Sequence, residues 1–270
     1  MVIRFCLVLA IKNQIIYKMF KKISVVFTLV FAITLLTANQ GFSQVKKPVA
    51  KKQTTAVKKT MAKKPVVKKP AVAVKDNSIR IKITTDSGVM IVKLYDSTPL
   101  HRDNFVKLVT QGFYDSLLFH RVIPGFMIQG GDPLSKNAIA GDMLGNGGGD
   151  MERIPAEFKK SLIHKKGALA AARDGNPQKA SSACQFYLVE GTVVNDAQLN
   201  GLEQSKGFKY TAEQKNIYKT IGGTPFLDQD YTVFGEIVSG LEVIHKIANA
   251  QRDGNNRPIG DIRMHMEIIK

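Results

Sequence analysis

The chain has 270 residues, 44% of them hydrophobic, a formal charge of +17 and two cysteines. That length holds one sizeable domain plus appendages, and two cysteines exclude a disulfide framework or a CxxC zinc pattern. The charge is confined. Residues 1–78 carry 16 Lys/Arg against the single acid Asp76, while residues 79–270 carry 23 basic and 21 acidic residues, so any role based on basicity belongs to the N-terminal part alone.

Residues 1–18 hold an apolar run interrupted by Arg4 and Lys12. From Met19 the pattern is cleaner: Lys21-Lys22, an apolar run over 23–36, then a polar tail ending Gly41-Phe42-Ser43-Gln44. This is the order of a secretory signal peptide, and the run falls short of the roughly 20 apolar residues of a membrane span. The expectation is a signal peptide over 1–43 cut after Ser43, with 1–18 an upstream over-prediction if Met19 is the start. The mature protein is then exported, to the periplasm or cell envelope; the alternative is an N-terminal anchor left uncleaved. Residues 44–77 are a Lys/Pro/Ala-rich linker with Lys-Lys pairs at 46, 51, 58, 63 and 68 and no aromatic residue. Such a segment cannot bury enough apolar surface to offset its ordering entropy and reads as a disordered tether. Its alternative role is contact with an anionic envelope surface; charge blocks without aromatics give no specific nucleic-acid recognition.

From Ile79 the pattern becomes that of a folded domain, over 78–270. Two alternating runs, IRIKITT and VMIVKLY, flank Asp86-Ser87-Gly88 and predict a hairpin. Thr98-Pro99 opens a helix as N-cap and first position, with Leu100, Phe105, Leu108 and Val109 on one face and Gly112 at its end. The stretch 119–133, FHRVIPGFMIQGGDP, is two short strands joined at Pro124-Gly125, a tight corner because Pro presets φ and Gly tolerates positive φ. Residues 134–153 read as a flexible surface loop: no Gly-Lys-Ser/Thr follows Gly145-Asn146-Gly147-Gly148-Gly149, so no phosphate loop is present. Strands are predicted over 167–173, 185–189, 231–237 and 262–269, and a helix over 241–248. Residues 191–223 break the strand rhythm with helices over 195–203 and 211–221, an insertion in which Thr211 and Gln214 form a capping box. Many short strands with two flanking helices predict a mainly β fold, an antiparallel barrel or sandwich.

Arg121 is the anomaly, a charge in an otherwise apolar strand that must either pair, with Asp132 or Glu190 as candidates, or face a cleft. The five histidines lack ligand spacing, no GxSxG elbow occurs and no carboxylate pair stands out. Cys184 reads as a small core residue. What is left is a binding module or an enzyme that works through geometry and hydrogen bonds, without metal or cofactor.

The residues 119–133 closely resemble the signature of the cyclophilin-type peptidyl-prolyl isomerases, and the resemblance continues through 167–173, Gln185-Phe186-Tyr187 and TPFLDQDYTVFG at 224–235. The 191–223 insertion is similar to that of secreted bacterial members. The resemblance implies a closed eight-stranded antiparallel β-barrel capped by two α-helices, a monomer, acting on X-Pro bonds of exported, proline-containing polypeptides; a chaperone or adaptor that holds such segments with little turnover is the alternative. It implies Arg121 as hydrogen-bond donor to the twisted amide and Gln129 as its support. It implies Phe126, Met127, Tyr187 and Leu227 as the proline pocket, the backbone of Ala172 and Arg173 as partners of the peptide, and Phe226 and Tyr231 at the rim. Five positions depart from the best-known members, Ala171 and Arg173 among them. Tyr187 stands where many have Phe, so its hydroxyl needs a partner; Tyr231 replaces a His; Phe226 replaces the Trp of cyclosporin-sensitive members, which implies weak inhibition by that drug. Strict alternation puts Phe126 on the opposite face from Arg121, Met127 and Gln129, so a bulge or twist is expected at Phe126-Met127.

Overall fold

A computed structural model describes residues 78–269; the signal peptide and the linker expected over 1–77 lie outside the described residues. Eight strands form one antiparallel sheet: β1 Arg80–Thr85, β2 Gly88–Leu94, β3 Arg121–Ile123, β4 Met127–Gly130, β5 Ala168–Ala171, β6 Phe186–Val189, β7 Val233–Ser239 and β8 His265–Ile269, in the spatial order β3-β4-β6-β5-β7-β2-β1-β8. Four α-helices accompany it among the described residues: α1 Pro99–Thr110, α2 Asp196–Lys206, α3 Ala212–Thr220 and α4 Leu241–Ala248.

Two features correct the expected architecture. The sheet is a half-barrel, not a closed barrel: its end strands β3 and β8 do not pair with each other. Closure would need a ladder between them, and β3 has only three residues before the Pro124-Gly125 turn. The two ends are linked instead through irregular chain, by the single bridge Leu118↔Arg263 and by backbone bonds from Phe119 to Ile262 and from Met264 to Leu117, both 2.9 Å. The helices number four rather than two because α2 and α3 of the insertion add to α1 and α4.

Period-two alternation divides the apolar residues between two cores. Val122, Ile128, Leu169, Ala171, Phe186, Leu188 and Phe234 face inward and pack with Phe105, Leu108 and Val109 of α1 and Val243, Ile244 and Ile247 of α4. Their strand neighbours Met127, Ala168, Ala170, Tyr187, Val189 and Val233 face the other way and form a second buried cluster on the outer face. A sheet half-solvated on one side would show polar residues there; this one is apolar on its outer face around that cluster, while on β1 and β8 the same face is polar and carries the Lys82–Glu267 ion pair. The insertion carries a small core of its own, Leu199, Tyr210 and Tyr218 with Ile163, and both its helices start with capping boxes, Asn195/Gln198 and Thr211/Gln214.

The start of α1 differs from the local expectation. Thr98 makes no side-chain cap; its hydroxyl donates to the Tyr95 carbonyl at 3.3 Å. The orphan N–H groups of Leu100 and His101 are taken by Glu157 at 3.2 and 3.0 Å, and the same carboxylate meets His101 Nδ1 at 2.7 Å. Phe105, Leu108 and Val109 are buried as the stripe predicts, but Leu100 is exposed and His101 takes its place on the buried face. A carboxylate 56 residues away in sequence caps this helix, so Glu157→Ala is expected to destabilise the protein by about 2 kcal/mol, the cap and the His101 partner being lost together. Urea denaturation at pH 7 measures it; a change below about 0.5 kcal/mol would show that the cap is dispensable.

Candidate active site

The hairpin β3–β4 pairs Arg121 with Gln129, Val122 with Ile128 and Ile123 with Met127. Val122 and Ile128 plug into the inner core, which fixes the register and turns Arg121, Met127 and Gln129 outward. Phe126 is not part of either strand. It belongs to the turn, where Gly125 adopts φ +70°, and this removes the expected parity conflict without a bulge. The turn is tied down: Gly125 N–H donates to Glu190 Oε2 at 2.6 Å, and the Phe126 carbonyl accepts from the N–H groups of Glu190 and Gly191.

On this outer face lies a cavity of about 110 Å³ lined by Arg121, Phe126, Met127, Gln129, Ala172, Arg173, Tyr187, Leu227 and Tyr231. At about 30 Å³ per water molecule it has the room of roughly four waters. It is well below the 300–1,000 Å³ of drug-sized ligand pockets and suits one small ring. Nine of the ten expected site residues thus converge. The tenth, Phe226, stands outside the cavity, half exposed, with its ring centroid 5.6 Å from that of Phe126. Among the described residues no group of His, Cys, Asp or Glu could hold a metal ion.

Arg121 makes no ion pair among the described residues. Its two candidate acids are engaged elsewhere: Glu190 holds Gly125 and, at 2.7 Å, His245 Nδ1, while buried Asp132 accepts from the N–H groups of Leu134 and Gly145. The guanidinium instead donates from Nη1 to Gln129 Oε1 at 3.1 Å and lies 5.9 Å from the Phe126 ring. Burial lowers its pKa from the ordinary guanidinium value. Gln129 Nε2 in turn donates to Gln185 Oε1 at 3.1 Å, and Gln185 Nε2 donates to the carbonyls of Gly145 and Gly147 at 3.0 and 2.9 Å. The glycine loop read from the sequence as flexible is therefore the far end of the relay that orients Arg121. Gly147 has no room for a side chain, since a Cβ would stand 2.0 Å from Asp132 Oδ1.

The backbone of Ala172, expected to pair with a peptide, is already engaged within the fold: its N–H donates to the Gln185 carbonyl and its carbonyl accepts from the Ser182 N–H. The Arg173 side chain lies over the Tyr231 ring at 4.6 Å and donates to the carbonyls of Asp230 and Asp174.

Tyr187 finds the partner its hydroxyl needs in His164 Nε2, 3.0 Å away. His164 Nδ1 faces Asp228 Oδ1 at 2.7 Å; a carboxylate there calls for a proton on Nδ1, which leaves Nε2 to accept from the tyrosine. Asp228 Oδ2 also accepts from Tyr210 at 2.9 Å and Tyr218 at 2.5 Å, both in the insertion. Burial pushes the Tyr187 pKa well above its ordinary value. Sequence reasoning did not single out His164, Asp228 or Gln185; the need of a buried tyrosine hydroxyl for a partner was the signal that pointed to the first two.

Residues 80–267 match the family model described as "Cyclophilin type peptidyl-prolyl cis-trans isomerase/CLD". A "Putative peptidyl-prolyl cis-trans isomerase" of Staphylococcus haemolyticus is 35% identical over 190 residues, which is 70% of this chain and 90% of that protein. A protein of the same name from Staphylococcus aureus is 33% identical over the same extent. The crystal structure of a cyclophilin type peptidyl-prolyl cis-trans isomerase from Cryptosporidium parvum is similar with a TM-score of 0.52 over 72% of this chain and 98% of its own, at 22% identity.

His120, next to Arg121 in the chain, is buried against Gly145 of the glycine loop, and desolvation lowers its pKa to about 4. The unfolded chain, with an ordinary value near 6.5, binds this proton first. The contribution is therefore complete above about pH 6.5 and is lost as pH falls toward 4. Between pH 7 and 4.5 His120 is expected to remove about 2 kcal/mol of stability. Urea titrations at both pH values should show a fall smaller by that amount in His120→Phe; an equal fall in both proteins would contradict it.

Proposed function

The chain belongs to the cyclophilin-type peptidyl-prolyl cis-trans isomerases, and we propose that it turns over X-Pro bonds of exported polypeptides with Arg121 as the group that stabilises the twisted amide. The observation that carries this mechanism is a half-buried guanidinium with no counter-ion among the described residues, held by Gln129 at the wall of a ring-sized cavity whose other walls are mostly apolar.

Amide resonance sets a barrier of about 18–20 kcal/mol to rotation about the peptide bond. For X-Pro the cis and trans forms are nearly balanced, so exchange is slow rather than one-sided. Catalysis then needs no nucleophile. Met127, Tyr187 and Leu227 hold the pyrrolidine ring while the preceding carbonyl swings. As the bond twists, its nitrogen regains a lone pair, and a donor fixed beforehand stabilises that state more than either planar one. Arg121 suits the role because it stays charged and planar; the relay through Gln129 and Gln185 removes the need to orient it during the reaction. The Arg173 backbone pairs with the peptide. The Cryptosporidium protein has also been crystallised in the presence of the dipeptide Ala-Pro, which supports proline-containing polypeptides as the ligand class. Export rests on the signal pattern over 19–43.

In a proline-peptide exchange assay on residues 76–270, Arg121→Ala is expected to lower kcat/KM by about 100-fold or more, the usual effect of losing one fixed donor. Arg121→Lys should restore little of it, since an ammonium cannot keep the planar contact with Gln129. Wild-type turnover indistinguishable from the uncatalysed rate would refute the isomerase reading; an Arg121→Ala enzyme with full activity would refute only the mechanism. Neither Arg121 nor Tyr187 changes charge near neutrality, and kcat/KM should stay flat from pH 6 to 8, a profile measured with the same peptide.

A further inference from the structure

The insertion, residues 191–223, has no place in the chemistry above. Its helix α2 forms one side of a groove of about 410 Å³, with Gln198, Gly201 and Leu202 facing Gly125 of the β3–β4 turn and Thr224 and Phe226 on the remaining wall. This groove continues the proline cavity. Gly125 lines the groove and Phe126 the cavity; Phe226 lines the groove and Leu227 the cavity. Consecutive residues on both walls thus pass from one site to the other, with the Phe126–Phe226 ring pair between them. At about 3.3–3.6 Å per extended residue, a peptide anchored by its proline reaches the groove within roughly two or three residues.

The groove also has unused hydrogen-bonding groups. Gln198 uses its Oε1 in the capping box, which leaves its amide N–H groups to donate. Gly201 faces open space, where a Cβ would meet nothing within 4 Å.

We propose that the insertion forms a second substrate subsite, which takes the segment of the polypeptide two or three residues from the proline and selects an aliphatic side chain there, with its backbone bonded to Gln198. This rests on the isomerase reading. The occupant is the substrate's own continuation because neighbouring residues on both walls, Gly125-Phe126 and Phe226-Leu227, lead from the proline cavity to the groove.

The test compares a tetrapeptide that fills only the proline cavity with ten-residue peptides carrying leucines in the three positions before or after the proline. Wild type should favour one of the long peptides by about tenfold in kcat/KM, and the flank that gains gives the direction of the chain. Gly201→Trp, which fills the groove, should abolish that preference and leave tetrapeptide turnover unchanged; Gly201→Ala, which leaves it open, should keep the preference. Equal rates on all peptides in wild type, or a preference that survives Gly201→Trp, overturns the subsite. No turnover of any peptide sinks the isomerase reading instead; fluorescence anisotropy of the long peptides then decides the subsite, tighter binding to wild type than to Gly201→Trp supporting it and equal binding overturning it.

Discussion

The bond from Arg121 Nη1 to Gln129 Oε1, 3.1 Å long, joins two residues directly opposite each other on adjacent strands. It holds only because both side chains leave the same face of the hairpin, and that depends on Val122 and Ile128 filling the inner core between them. A slip of one residue would turn the guanidinium into that core and two apolar side chains into the groove. The bond depends equally on what lies beyond Gln129. An amide can rotate its donor and acceptor ends, and Gln185 fixes which end faces Arg121 by accepting from Gln129 Nε2 while donating to two loop carbonyls. Asp132, which holds Gly145, anchors that loop. A row of ordinary hydrogen bonds therefore sets one charge without a carboxylate beside it.

Around the cavity the outer face could not be apolar without a cover. Part of the cover is the insertion, and it is attached through polar groups rather than by apolar packing alone. Asp228 is buried, a costly position for a carboxylate. Both of its oxygens are saturated, by the backbone N–H and ring of His164 on one side and by Tyr210 and Tyr218 on the other. The carboxylate thus links the insertion's own core to the tyrosine at the cavity wall. Glu190 does the same at the other end, where it holds the β3–β4 turn at the point where the insertion begins.

Much of this was legible from the sequence, for reasons that can be named. The hairpins and the helix Leu241–Ala248 follow from alternation and stripe patterns that tertiary contacts reinforce. The convergence of Arg121, Met127, Gln129, Tyr187 and Leu227 came from the family signature; spacing alone does not bring together residues about a hundred positions apart. What escaped were interactions whose partners lie far along the chain and whose residue types are common. Glu157 capping α1, Gln185 between Gln129 and the loop, and Asp228 under His164 leave no local pattern. The expectation of a closed barrel failed for a related reason: closure depends on the pairing of two end strands, and three residues of β3 do not announce whether they meet β8.

Two guanidiniums reach the cavity, and donor accounting separates them. A guanidinium has five N–H donors. Arg173 commits Nε and Nη1 to two carbonyls and lays its plane over Tyr231, so it is built into the wall. Arg121 commits one nitrogen, to Gln129. Its remaining donors lie in a cavity lined also by Phe126, Met127, Leu227, Tyr187 and Tyr231. The Tyr187 hydroxyl is spent on His164, so the departure of Tyr187 from the phenylalanine of many relatives does not supply a competing donor.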